Sequence, residues 1–415
     1  MIKKDLGGLG YPFFEQKLEN GLTLIFLPRK SRLKSAFVYV GYGGYYRNEE
    51  IDGIKTPFGT AYYAEHMLMN EPFKKILASQ GILGCSHTDF SYSYYSLDTL
   101  EDLYKGLASL MDRISFCKFQ EEEVEVFRKR DAIASRKRDQ DPENQAKAKA
   151  LDNLYYASPI RLGVTPSSAQ AMMIHTSGLR KFFEAYYLPE RITIMVSMDD
   201  TPAHFLEEMT KLRLPVSHPV KEKPIAFTEI YDKVNREYTK FSAESHASYL
   251  SYGVKMPPRK DLYANYGQML FSLYEVLEKA LFTMNPSFQN GLNQIHAELL
   301  NTELDQGFED AYLLLNVKTD APQEALGFIT SYLSNAAKHV EHALLKKVQN
   351  HYFANSLSSL SVPSQALRGF ALAYANNMPY TGLISQTMKM SFAYFKNYLS
   401  DFQTFRRAAA YLQKS

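Results

Sequence analysis

Thr60–Ala61–Tyr62–Tyr63–Ala64–Glu65–His66–Met67–Leu68 reads as one helix that presents Tyr62, Glu65 and His66 together. Offsets of three and four residues on a 3.6-residue turn place those side chains on a single face. In an H-x-x-E-H helix the same offsets hold two His on a zinc ion while the Glu serves as general base. Here Tyr62 stands at the first His position, while Glu65 and His66 stand at the other two. A neutral imidazole is a good zinc donor, whereas a phenol of pKa about 10 is a poor one unless the metal strips its proton. The helix has the frame of a zinc site and lacks a ligand.

Working outward, the chain before this helix reads as a hairpin, with strands at 15–18 and 22–27 joined through Asn20–Gly21. A further strand at 36–40 runs into the glycine-rich turn Gly41–Gly44. After the helix, a shorter helix at 73–79 is closed by Gly81, and paired strands follow at 83–88 and 90–97. On a strand at 83–88, Cys85 and His87 share one face and Ser86 and Thr88 the other. Helices are expected at 100–116, 121–138, from Pro142 to Tyr156, and at 178–187, and a buried strand at 191–198 closes this first sheet. The helix at 121–138 is acidic at its start and basic at its end, which complements the helix dipole.

Pro215, Pro219 and Pro224 among Lys and His residues mark a linker at 212–225, dividing the chain into domains at 1–211 and 226–415. The second half repeats the order of the first: strands at 234–241 and 247–254, helices at 262–282 and 288–300, a strand at 312–317, then helices at 323–338 and 341–356. The last segment, with Phe405, Ala408, Ala409 and Leu412 at helical spacing, reads as helix, so the second domain is expected to lack a closing strand. The chain therefore reads as two like halves, each mixing strands and helices.

At 415 residues the chain is too long for one core. A net charge of +2 gives no reason for a nucleic-acid partner. Two cysteines, Cys85 and Cys117, make no disulfide framework, no leader follows Lys3–Lys4, and no run approaches the length of a membrane span. A cytoplasmic, membrane-free protein is the expectation.

The stretch from Gly59 through Glu65–His66–Met67–Leu68 resembles the pitrilysin/insulinase-type zinc peptidases, the inverzincin group that includes the mitochondrial processing peptidases. The turn at Gly41–Gly44, the Gly81…Thr88…Tyr95 region, Phe119–Pro142 and Tyr187–Leu188–Pro189–Glu190–Arg191 are similar to family stretches in the same order. The resemblance is good over residues 12–200, rests on layout alone over 225–400, and is nearest to bacterial members, which commonly pair to enclose a chamber. It implies an α+β fold class, with two like domains, each an antiparallel-rich sheet layered against helices.

The resemblance also marks departures. The family's third ligand, a Glu on the long helix, falls on Ala134 when Phe119–Pro142 is laid out without a gap, and Glu125 and Asp131 are the nearby carboxylates. The family's Asn-Ala pair facing substrate falls on Cys85 and Ser86, leaving Cys85, Ser86, His87 and Thr88 as candidates for peptide binding. With Tyr62, His66 and Ala134 as remnant metal positions, zinc is not expected in this chain, and Glu65 is a remnant of the catalytic base. The resemblance then implies a pseudo-peptidase subunit that supplies half of a peptide-enclosing chamber, zinc residing in a homologous partner. A heterodimer is the expected assembly and a homodimer the alternative. An active hydrolase with an unorthodox site, or a purely structural scaffold subunit, are the competing classes.

Overall fold

A computed structural model describes the chain apart from residues 6–10, 46–47, 117–118, 217–219, 226–227, 258–268, 306–310 and 376–379. Its residues cluster into two compact units. The first contains Met1–Ser135, Gly163–Ala226 and Ser358–Thr381; the second contains Arg136–Leu162, Phe227–Leu357 and Gly382–Ser415. The expected single cut at 212–225 is thus corrected: each unit takes a segment from the other half of the chain. Part of the expected linker is itself a strand of the first unit.

The strands of the first unit are β1 (Ile2–Asp5), β2 (Pro12–Lys17), β3 (Thr23–Pro28), β4 (Lys34–Val40), β5 (Asn48–Ile51), β6 (Ile54–Lys55), β7 (Ile82–Thr88), β8 (Ser93–Thr99), β9 (Ile192–Met198) and β10 (Glu222–Pro224). The main sheet has the order β1-β2-β3-β9-β4-β8-β7, and β10-β5-β6 form a small second sheet. All seven residues of β9 are buried, as its run of apolar residues foretold. It does not close the sheet's edge, however, but lies between β3, to which it is parallel, and β4, to which it is antiparallel.

The helices that position the site are α1 (Thr60–Leu68), α2 (Glu71–Ser79), α3 (Leu103–Phe116), α4 (Glu121–Gln140), α5 (Pro142–Leu154), α6 (Ser168–Ala171), α7 (Thr176–Tyr186) and α8 (Pro202–Thr210). The core of the first unit gathers Leu24, Phe26, Val38, Tyr63, Met67 and Tyr95, among others, between sheet and helices.

In the second unit, β11 (Tyr238–Ala243), β12 (Tyr249–Met256), β13 (Glu298–Asp305), β14 (Ala311–Lys318) and β15 (Arg406–Lys414) form a sheet of order β11-β15-β12-β14-β13. β15 is parallel to β11 and antiparallel to β12. Strand for strand, this is the order β3-β9-β4-β8-β7 of the first unit, so the internal repeat read from the order of elements is present in the topology.

Two expectations are corrected here. The closing strand of the second half is not missing: Arg406–Lys414 is β15, a central strand with Ala408–Leu412 buried. Alanine favours helix, but ladders on both sides outweigh a propensity of under about 1 kcal/mol per residue. The small side chains also suit the place, because α5 packs over β12 and β15 and Asn153 Nδ2 donates to the Ala409 carbonyl at 2.8 Å. At Gly253 of β12, opposite Ala408, an added Cβ would lie 2.5 Å from Leu154 of α5. The expected helix at 288–300 is likewise shorter, ending at Gln294 before β13. Part of the expected helix at 262–282 and all of Cys117 lie outside the described residues.

In the first unit the helix Pro363–Ala375, from the C-terminal half, packs on β4 and β9. This mirrors α5 on β12 and β15, so each sheet is covered at the same place by a helix from the opposite half of the chain.

Candidate active-site remnant on helix α1

α1 begins at Gly59, whose φ of +88° only glycine adopts freely and whose missing Cβ would lie 2.5 Å from Pro166. At its other end Arg113 of α3 donates to the Met67 carbonyl at 2.9 Å. Nearly every residue of α1 is buried; Tyr62 and His66, one turn apart, are the two half-exposed side chains. Their rings lie 4.2 Å apart, and Phe127 of α4 stands 4.9 Å from the imidazole.

Glu65 is 2% exposed. Ser86 Oγ donates to its carboxylate, Thr88 Oγ1 donates at 3.3 Å, and His66 Nδ1 lies 3.1 Å from Oε2. His66 Nδ1 is also 3.0 Å from the Tyr62 carbonyl, which leaves Nε2 as the outward ring nitrogen. The Tyr62 hydroxyl donates to Asp131 Oδ1 at 3.3 Å, and the Tyr63 hydroxyl donates to Oδ2 at 3.0 Å. Burial, with Asp131 beside it, pushes the Tyr63 hydroxyl above its ordinary range.

The carboxylate that α4 turns toward α1 is therefore Asp131, buried at 4% exposure, while Ala134, three residues on, is exposed. Glu125 is paired instead with Arg128 at 2.5 Å. A zinc ion held by protein needs three donors or more. On α1 and α4, Tyr62 and Asp131 are spent on each other and Glu65 on Ser86, Thr88 and His66, so the donors do not fit the ion.

The four candidates on β7 divide by face. Ser86 and Thr88 point to α1 and hold Glu65, whereas Cys85 and His87 are exposed on the opposite face. β7 is the terminal strand of the main sheet's order. Of the Tyr92–Tyr95 aromatics, Tyr92 and Tyr95 are core, and only Tyr94 is half exposed, its ring 5.6 Å from His87. Burial raises the Tyr94 hydroxyl, and the Arg368 charge partly offsets that rise. Arg368 lies on the exchanged helix Pro363–Ala375 and is exposed. Sequence order gave no sign that this half of the chain reaches the first sheet. Asp131 was within reach of the sequence, as the acidic residue one helical turn before Ala134.

The whole-chain fold places this frame among known structures. The chain superposes on the crystal structure of an M16-like peptidase from Alicyclobacillus acidocaldarius with a TM-score of 0.85, covering 98% of this chain and 99% of that one at 17% identity. The fold is that of the M16-like peptidases. An M16 peptidase inactive domain from Pseudomonas fluorescens matches the M16-like fold at a TM-score of 0.74 and 12% identity, over 97% and 98% of the two chains. In sequence, the uncharacterized zinc protease YmfH of Bacillus subtilis (strain 168) is 21% identical over 191 residues. That match takes in 44% of this chain and 45% of YmfH, so the chain spans less than half the length of this relative. No protein-family model matches the chain. The resemblance drawn from Gly59–Leu68 and its surroundings is borne out at the level of fold. Among the described residues no helix is long and apolar enough to cross a membrane.

Proposed function

We propose that the chain is a non-catalytic, peptidase-like subunit that pairs with a homologous unit carrying an intact zinc site, the two enclosing a peptide. The observation that carries this reading is the Tyr62–Asp131 hydrogen bond, which ties up the first-ligand position and the facing carboxylate together. Glu65, closed in by Ser86 and Thr88, is held as a structural clasp rather than offered to a water molecule. The inactive M16 domain from Pseudomonas fluorescens supports the idea that this fold is used without turnover. The terminal strand β7 offers its edge to an extended peptide, with backbone hydrogen bonds supplying affinity and Cys85, His87 and the 64%-exposed Leu83 meeting alternate side chains. With two cysteines and no disulfide framework, the setting on this reading is a reducing cytoplasm.

The test is co-expression with a homologue that retains H-x-x-E-H, followed by hydrolysis of a mixed oligopeptide substrate. The chain alone is expected to be inactive, and the complex active and zinc-dependent. Glu65→Gln in this chain should leave turnover of the complex unchanged. Loss of turnover in that variant, with assembly intact, would overturn the reading in favour of an active, unorthodox hydrolase.

A further inference from the structure

The unused feature of the chain is the outer face of α4. This one unbroken helix carries Glu121, Glu122, Glu123 and Glu125 at its start and Arg136, Lys137 and Arg138 near its end. Val126 and Ile133 are 69% and 72% exposed. Seven residues apart, they lie almost on one line along the helix surface. Lys129 and Arg130 flank that line, and their charges are met by Glu125 at 3.7 Å and Glu71 at 3.8 Å. Glu122 and Lys137 stand four residues beyond Val126 and Ile133 on the same stripe, both exposed, and neither has an ion pair with any described residue.

We propose that this face binds the same face of a second copy of the chain, antiparallel, about a two-fold axis passing between Lys129 and Arg130. The sequence of the stripe is self-complementary under that operation. Val126 meets Ile133 of the second copy and Ile133 meets its Val126, while Glu122 meets Lys137 on both flanks. A parallel pairing would set Glu on Glu and Lys on Lys, and is rejected by charge. The acidic first turn also argues against a nucleic-acid or anionic membrane partner. The long stems of Lys129 and Arg130 lie over the aliphatic centre with their heads turned to the Glu residues that already hold them. Four aliphatic side chains are a small centre beside the roughly 1,200–2,000 Å² of a standard interface. The pairing is therefore weak, about micromolar, and weakened by salt. It rests on α4 alone and is independent of the peptide-chamber reading.

Sedimentation velocity of the full chain from about 1 µM to about 1 mM tests it. The wild type should self-associate with rising concentration. Glu122→Lys alone and Lys137→Glu alone should each weaken association at least about tenfold, because each sets like charges together on both flanks. The double variant Glu122→Lys/Lys137→Glu should associate as the wild type does. An equimolar mixture of the two single variants should also associate, since each then supplies the charge the other needs. All these positions are exposed, so folding is not at stake. A wild type that stays monomeric throughout, single variants that associate as well as the wild type, or a mixture that fails to recover would each overturn the proposal.

Discussion

Replacing Tyr62 by His should create a zinc site with no second substitution. The variant would face Asp131 of α4 with two imidazoles one turn apart, at positions 62 and 66, which is a two-His, one-carboxylate set. An imidazole is shorter than a phenol by roughly 2 Å, so the 3.3 Å contact opens enough to admit two metal–ligand bonds of about 2.0–2.2 Å. Without metal the change removes one long hydrogen bond to Asp131, while the 3.0 Å bond from Tyr63 remains. That loss is about 0.5–1.5 kcal/mol. Zinc at 100 times its dissociation constant returns about 2.7 kcal/mol, so the loaded variant should be about 2.7 kcal/mol more stable than without metal and about 1–2 kcal/mol more stable than the wild type. Elemental analysis should read close to one zinc per chain for Tyr62→His and well under one for the wild type, with a zinc-dependent rise in melting temperature for the variant alone. Adding Asp131→Ala should abolish both signals. The reasoning fails if Tyr62→His takes up no zinc, or if zinc appears only when Ala134→Glu is added, because the ligand position on α4 would then be Ala134 after all.

The other expectations are more local. Lys255 and Glu229 form an ion pair at 1% exposure each, the ammonium also donating to the Ile230 and Lys233 carbonyls and lying 4.9 Å from the Tyr155 ring. Lys255→Met should destabilise the second unit by about 3–5 kcal/mol in urea unfolding, and a change under about 0.5 kcal/mol would contradict this. Burial works to raise the Glu229 carboxyl, but Lys255 and three backbone N–H groups hold it below the ordinary range. Its contribution is thus present above the unfolded carboxylate pKa and lost as pH falls through the folded one, so the gap between wild type and Lys255→Met should narrow in acid. At the surface, the hydrogen bond to Asp200 raises the His204 imidazole, and Asp200 in turn accepts from the Tyr104 hydroxyl of α3 at 2.7 Å. That contribution is full below the unfolded His pKa of about 6.5 and is lost as pH rises through the folded value. The wild type should therefore lose a little stability relative to His204→Gln on going from acid to mildly alkaline pH; parallel melting curves across that range would sink the assignment. Gly253→Ala should cost about 1–3 kcal/mol by pressing on Leu154, and Leu154→Ala should relieve part of it; strict additivity in the double variant would show that the two do not meet.

What could be read in advance followed the strength of the local pattern. α1 was legible from its Glu65–His66 frame after Gly59, α4 from a charge run that goes from acidic to basic before Pro142, and β7 and β8 as a strand pair that follows Gly81. β15 was not, because Ala408–Ala410 carries a helical preference, and only the ladders to β11 and β12 and the close approach of α5 make small residues right for a central strand. The exchange of helices left no trace in the sequence. The buried Ala146 and Ala150 of α5 make a small-residue face that would suit either sheet, and nothing local to Pro363–Ala375 names β4 and β9 as its partners. In the site, an ungapped reading placed the third ligand at Ala134, one helical turn from the carboxylate that faces α1. A turn of helix advances 5.4 Å, which is enough to exchange a buried acid for an exposed methyl.

The same geometry shows which of the chain's own residues hold this helix in place. A carboxylate at 2% exposure is costly unless it is paired and hydrogen-bonded. Glu65 meets that demand with two hydroxyls from β7 and one imidazole nitrogen from its own helix. Asp131, buried on the other side of α1, meets it with two phenols. Each acid therefore fastens α1 to a different neighbour: Glu65 to the terminal strand of the sheet, Asp131 to α4. Tyr62 contributes to the second of these clasps by the very substitution that removes a zinc donor, because its phenol is a poor metal ligand and hydrogen-bonds Asp131 instead. The residues that disqualify the helix as a zinc site are thus the ones that secure its position.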